Sequence, residues 1–140
     1  MKLNIKNETG RLKSVVLGQP KSIGPVPTLE ESYDAKSYYS IENGIYPKEE
    51  DIIAEMTAFE KVLKKYDVEV FRPNIIKDYN QVFARDVAFV IEDKMIISNV
   101  IKDRADEQEA YRKIFEKVEW RKIINLPETA HIEGGDVIVW

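Results

Sequence analysis

The chain alternates short β-branched apolar runs with stretches of helical spacing. Val15, Val16 and Leu17, closed by Gly18 and Pro20, predict a buried strand. Residues 19–46 are broken by prolines and glycines and show no sustained apolar period, so they read as a long irregular segment, a candidate lid or rim. Its tyrosines, Tyr33, Tyr38, Tyr39 and Tyr46, suit either closure over a ligand or aromatic packing within the loop. From Pro47 the pattern turns helical. Ile52, Ile53, Met56, Phe59, Val62, Leu63 and Tyr66 recur at three and four residues and predict one core-facing stripe. Glu49, Glu50 and Asp51 suit the positive end of that helix, and Lys61, Lys64 and Lys65 suit its negative end. Val68, Val70 and Phe71 then predict a strand stopped by Pro73.

The second half repeats the order. Residues 82–91 predict a strand, with Glu92, Asp93 and Lys94 turning it into a second apolar run at 95–100, which makes a hairpin. Asp103 is placed to cap a helix whose stripe is Ala110, Tyr111, Ile114, Phe115 and Val118. A strand ending at Pro127 follows, and residues 131–140 begin another. Helix, strand, proline, polar loop and acid-bearing strand therefore occur over 47–91 and again over 103–140, with Asp86 and Glu133 at corresponding points. This predicts a modular α/β fold, with residues 1–140 as a single domain.

The charges on the apolar strands are the chemistry to explain. In a regular strand over 82–91, Asp86 shares one face with Val82, Ala84, Ala88 and Val90, while Arg85 shares the other with Phe83, Val87 and Phe89. A buried lone ion costs several kcal/mol, so each charge needs a partner. Asp86 either faces a pocket that awaits a cation or satisfies a local partner at a strand end. Glu133-Gly134-Gly135-Asp136 sets two carboxylates around glycines that permit close backbone approach, either for a flat ligand or as a solvated bulge. It is no phosphate loop, because the flanking acids oppose an anion and no Gly-Lys-Ser/Thr follows. Two acid-bearing segments in equivalent positions favour a cation. A guanidinium fits best, since its donor fork is matched by carboxylates and it keeps its charge; the acids lack the spacing of a calcium loop. For Arg104 and Glu107 the default is an ion pair at a helix end, with a substrate-carboxylate role for Arg104 as the alternative.

Composition narrows the partners. Lys and Arg number 21 against 25 Asp and Glu, for a net charge of −4, which gives no global pull toward nucleic acid or an anionic membrane. No apolar run approaches the roughly 20 residues of a bilayer span, and the polar-apolar alternation of the first residues is unlike a signal peptide, so the expected location is cytoplasmic. There is no cysteine and a single histidine, His131. Disulfides, thiolate sites, multi-histidine metal sites and any thiol nucleophile from these residues are excluded, and no cofactor or metal is expected. His131 either lines the site beside Glu133 or serves as a hydrogen-bonded structural residue.

Three landmarks in order, Val16-Leu17-Gly18-Gln19-Pro20, Asn80-Gln81-Val82-Phe83-Ala84-Arg85-Asp86 and His131-Ile132-Glu133-Gly134-Gly135-Asp136-Val137, resemble the guanidine-modifying superfamily of amidinotransferases and arginine deiminases. Ile45-Tyr46-Pro47, the strand before Pro73 and Asp103-Arg104-Ala105-Asp106-Glu107 also fit, and the Asn80-Gln81 start is most similar to glycine and arginine amidinotransferases. The resemblance implies a partial pentein, an α/β propeller represented here by about two ββαβ modules and the start of a third. It implies that Asp86 binds a substrate guanidinium and that Glu133 serves catalysis by supporting the family's histidine or the substrate. Asp136, Asn80 and Arg85 stand beside them as substrate-binding candidates. The family attacks the guanidinium carbon of arginine-like substrates with a cysteine, and water or an amine resolves the intermediate. Its His-x-Asp and cysteine lie downstream of the Glu-Gly-Gly-Asp landmark, and His131, which precedes it, is not that histidine. The chain therefore resembles an N-terminal half that carries carboxylates without the nucleophile. The competing reading is a non-catalytic half-propeller that binds and assembles. Either form is expected to homo-oligomerise or to pair with a complementary half, because an open propeller leaves strand edges and apolar surface to cover.

Overall fold

A computed structural model describes residues 1–32 and 34–140, with Asp103 described by its backbone alone. Two small sheets carry the architecture. In the first, β1 (Ser14–Val16) pairs in parallel with β2 (Glu69–Phe71), Val15 opposite Val70. Parallel neighbours need a crossover, and α2 (Glu49–Lys65) supplies it, following α1 (Ala35–Glu42). In the second, β3 (Ala88–Ile91) and β4 (Lys94–Ile97) form the expected hairpin, and β4 pairs in parallel with β5 (Ile123–Asn125). The crossover from β4 to β5 runs through a 3-10 turn at Lys102–Arg104, then α4 (Glu107–Ala110) and α5 (Arg112–Phe115). The chain thus contains two β-helix-β units, in the order the sequence repeat indicated.

Three apolar clusters hold these pieces. Leu17, Leu63 and Val68 join α2 to the first sheet. Leu3, Met95 and Val118 back the second sheet. Between the two units, Val87, Ala110, Tyr111 and Ile114 pack with Val16 from β1 and Phe71 from β2. The single second helix expected is two short ones, α4 and α5, and of its stripe Ala110, Tyr111 and Ile114 form the seam of the molecule while Val118 backs the second sheet. Arg72 reinforces the first unit by reaching both Glu60 on α2, at 2.7 Å, and the Gly18 carbonyl. Gly18 is required there, because a Cβ would lie 2.0 Å from the Val82 carbonyl oxygen.

Several expectations from the sequence are corrected. Residues 82–91 are not one strand: Ala84–Val87 form a helical turn, α3, before β3 begins, so Arg85 and Asp86 do not stand on alternating strand faces. Residues 131–140 form no strand; Gly134–Asp136 is a 3-10 turn. The segment 19–46 contains α1, which Asp34 caps by accepting from the amides of Lys36 and Ser37, at 2.9 Å each. No residue of α1 is buried, so no apolar period announces it. Tyr38 and Tyr39 are exposed on this helix, whereas Tyr33 lies outside the described residues. The α2 stripe is buried only at Leu63; Phe59, Val62 and Tyr66 face out because a two-stranded sheet is too narrow to cover them. The capping role expected of the Asp103 side chain also lies outside the described residues. Among the described residues, no helix is long and apolar enough to cross a membrane.

Candidate functional site

The seam between the two units ends in a carboxylate cluster. Each unit brings one acid to it through the same device, a polar loop tied down by a side-chain amide. In the first, Gln81 is fully buried; its Nε2 donates to the Asn74 carbonyl at 3.0 Å, and its Oε1 accepts from the Ile76 amide at 2.7 Å. This fixes the loop that delivers α3 and Asp86. In the second, Asn99 Nδ2 donates to the carbonyls of Pro127 (2.7 Å) and Ala130 (2.9 Å), holding the loop that delivers Glu133. A buried amide bonded at both its oxygen and its nitrogen, as in Gln81, holds its loop in one arrangement.

The 3-10 turn then lies directly on α3. A Cβ on Gly134 would meet the Arg85 carbonyl oxygen at 1.9 Å, and one on Gly135 would meet Asp86 Oδ1 at 2.8 Å. The close approach expected of the paired glycines is real, and the surface they approach is the chain's own helical turn. The Gly135 amide donates to Asp86 Oδ1 at 3.1 Å. Arg85 clamps the same junction: its Nε donates to the Gly134 carbonyl at 2.8 Å, and its Nη2 donates to the Val137 carbonyl at 2.6 Å and to Glu8 at 2.8 Å. Glu8 also accepts from the Val139 amide at 3.1 Å. These bonds, led by the one from Arg85, hold the Glu8 carboxyl below its usual range.

Asp86, Glu107 and Glu133 converge on one guanidinium, that of Arg104. Its Nε and Nη2 grip Glu107 in a fork at 2.6 and 3.2 Å, while Nη1 lies 3.0 Å from Asp86 Oδ2 and 3.5 Å from Glu133 Oε2. The Arg104 side chain is 11% exposed and that of Glu107 is fully buried, whereas Asp86 and Glu133 are 20% and 30% exposed. Burial opposes the Arg104 charge, but its bonds to Glu107 and Asp86 outweigh this and raise its pKa. Burial likewise raises Glu107, and the charge of Arg104 only partly offsets it, with Asp86 and Glu133 adding to the rise. Three carboxylates face one cation, so the cluster carries an excess of negative charge toward its more open side. Tyr111 stands behind it, 2% exposed, and its hydroxyl has no hydrogen-bond partner among the described residues. Burial, and then the negative charge of Glu107, push that phenol well above its usual pKa.

The remaining candidates are placed as follows. Asn80 Oδ1 accepts from the Val82 amide at 3.2 Å and steadies the approach to α3. Asp136 turns back toward the Glu133 amide at 3.4 Å. His131 is exposed. The ion pair expected between Arg104 and Glu107 is present, and Asp86 and Glu133 join it, a convergence that the sequence pattern does not announce. The loop-anchoring roles of Gln81 and Asn99 and the place of Tyr111 behind the acids were not expected; the repeated helix-loop-acid order was the available signal. Two surface hollows, of about 350 and 400 Å³, lie elsewhere, lined by residues such as Leu12 and Val62 or Lys13 and Phe71. Among the described residues no group of acids and histidines is arranged to hold a metal ion.

No family model matches the sequence, and no curated protein does. The fold, however, is similar to that of two solved amidinotransferases. The chain is similar to SxtG, an amidinotransferase of the saxitoxin biosynthetic pathway from Microseira wollei, with a TM-score of 0.68 and 20% identity. It is also similar to the inosamine-phosphate amidinotransferase StrB1 from Streptomyces griseus, with a TM-score of 0.60 and 14% identity. Each match covers 90% of this chain and 43% of the other, so the chain spans less than half the length of the structures it matches.

Proposed function

We propose that this chain supplies the carboxylate half of a site that binds and modifies guanidino groups, with Asp86 and Glu133 holding the guanidinium of an arginine-like substrate. One observation carries the reading: at the meeting point of the two units, a guanidinium is already held by Asp86, Glu107 and Glu133. The fold shared with amidinotransferases makes that chemistry the natural use of such a cluster. On this reading, residues 1–140 are one domain, the N-terminal half of a propeller of ββαβ modules. Asp86 orients the substrate, Glu133 supports the acid-base group, and Asn80 and Asp136 shape the rim. Arg85 acts on substrate through the junction it clamps. A covalent step through a thiol takes its cysteine from outside these residues, because the chain has none. Whether water or an amine then accepts the amidino group is decided by that other half. The test is calorimetric titration of L-arginine into the wild-type chain and into Asp86→Asn. A saturable heat that is lost in the variant supports the proposal, whereas equal heats from both remove Asp86 from it.

A second reading, a binding and assembly protein, is favoured by the surface of α2. Phe59, Val62 and Tyr66 are 51%, 51% and 66% exposed beside Leu12 at 40%, an apolar stripe of the kind that partners cover. Light scattering at increasing concentration tests it: a growing dimer fraction that vanishes in Val62→Glu supports assembly, and a monomer throughout contradicts it.

A further inference from the structure

Arg104 belongs to the chain, yet its guanidinium lies among the acids assigned above to a substrate. Its contacts are unequal. The fork to Glu107, at 2.6 and 3.2 Å, lies within one stretch of backbone and is buried, whereas Nη1 makes single contacts with Asp86 at 3.0 Å and Glu133 at 3.5 Å on the more open side. A side chain held this way keeps one edge anchored while the other releases. The buried Tyr111 hydroxyl, without a hydrogen-bond partner among the described residues, is an unused donor within the field of Glu107, Arg104 and Asp86. A buried hydroxyl left unbonded is costly, and both oxygens of Glu107, the carboxylate whose charge acts on it most, already accept from Arg104.

We propose that Arg104 is an internal ligand of the guanidinium site, and that an entering guanidinium displaces its Nη1 edge from Asp86 and Glu133 while Glu107 retains the other edge. The proposal rests on the guanidinium reading given above. Arg104 then sets the affinity of the site: it keeps Asp86 and Glu133 from standing bare, and it lowers occupancy by any ligand that cannot match its fork. A simple ammonium, a point charge with no fork, competes poorly against it.

The experiment titrates methylguanidinium chloride into the wild-type chain, Arg104→Met and Arg104→Lys, with methylammonium chloride at equal ionic strength as the control. Arg104→Met removes the competitor and leaves Glu107 without its cation, so its folding is read by circular dichroism with and without methylguanidinium. Arg104→Lys keeps a cation for Glu107 but cannot bridge to Asp86 and Glu133 together, which guards against loss of fold. The expected result is at least about tenfold tighter methylguanidinium binding by the variants than by wild type, with methylammonium, which lacks the fork, binding more weakly than methylguanidinium to every form. If Arg104→Met is unfolded alone, methylguanidinium is expected to restore it, and failure to do so counts against the proposal. Variants that bind no more tightly than wild type, while Asp86→Asn weakens binding in every background, overturn Arg104 as a competitor and leave the guanidinium site standing. No saturable binding by any folded form overturns both.

Discussion

Two arginines meet carboxylates at the helical turn α3, Arg85 from within it and Arg104 from the 3-10 turn before α4, but they sit in opposite environments. Arg85 is on the outside, its side chain 47% exposed and that of Glu8 40% exposed; Arg104 is on the inside, at 11%, against a fully buried Glu107. Water screens the first pair, so Arg85 works mainly as a geometric clamp through its bonds to the backbone carbonyls of Gly134 and Val137. The second pair cannot be separated without leaving a charge in a dry place. The same chemistry is therefore positioning on one side of α3 and a guarded ion site on the other.

The largest effect is expected inside. Arg104→Ala leaves Glu107 buried and uncompensated and should cost about 3–5 kcal/mol of stability, measured by urea denaturation. A loss similar to that of an exposed pair would erase the contrast between the two sides. Next comes the contact between them: Gly134→Ala forces a methyl group into the Arg85 carbonyl and should cost about 1–3 kcal/mol, with the same assay as the check. Tyr111→Phe removes a buried hydroxyl that has no partner and should be neutral or stabilising, within about 1 kcal/mol. A clear destabilisation would mean that the hydroxyl is bonded in solution.

The smallest effect belongs to the outer clamp and depends on pH. Glu8 has a folded pKa below its usual 4.5, so its contribution is complete above that value and is lost as pH falls through the folded pKa. Acid titration followed by amide exchange at Val137 and Val139 should show this segment loosening below pH 4.5 in wild type, and already loosened at neutral pH in Glu8→Gln. Protection in Glu8→Gln equal to wild type would remove Glu8 from the clamp.

The repeat, the α2 helix, the hairpin and the two acids were legible in sequence because they rest on local periodicity and on residues that conflict with an apolar setting. The strands expected at 82–91 and 131–140 failed at the acids themselves. There the backbone turns helical so that α3 and Gly134–Asp136 can dock, a tertiary contact no local pattern encodes. The helix α1 was hidden because none of its residues is buried. Arg104 looked like one half of an ion pair between residues 104 and 107; only the fold reveals that Asp86 and Glu133 share it.

That sharing is most directly tested by a double-mutant cycle of Asp86→Asn and Arg104→Met, with stability read from denaturant unfolding. If one guanidinium links the two units, the double variant should lose less than the sum of the singles, by a coupling of about 0.5–3 kcal/mol. Additivity to within about 0.3 kcal/mol would mean that Asp86 does not hold the Arg104 guanidinium and that the two units do not share a site.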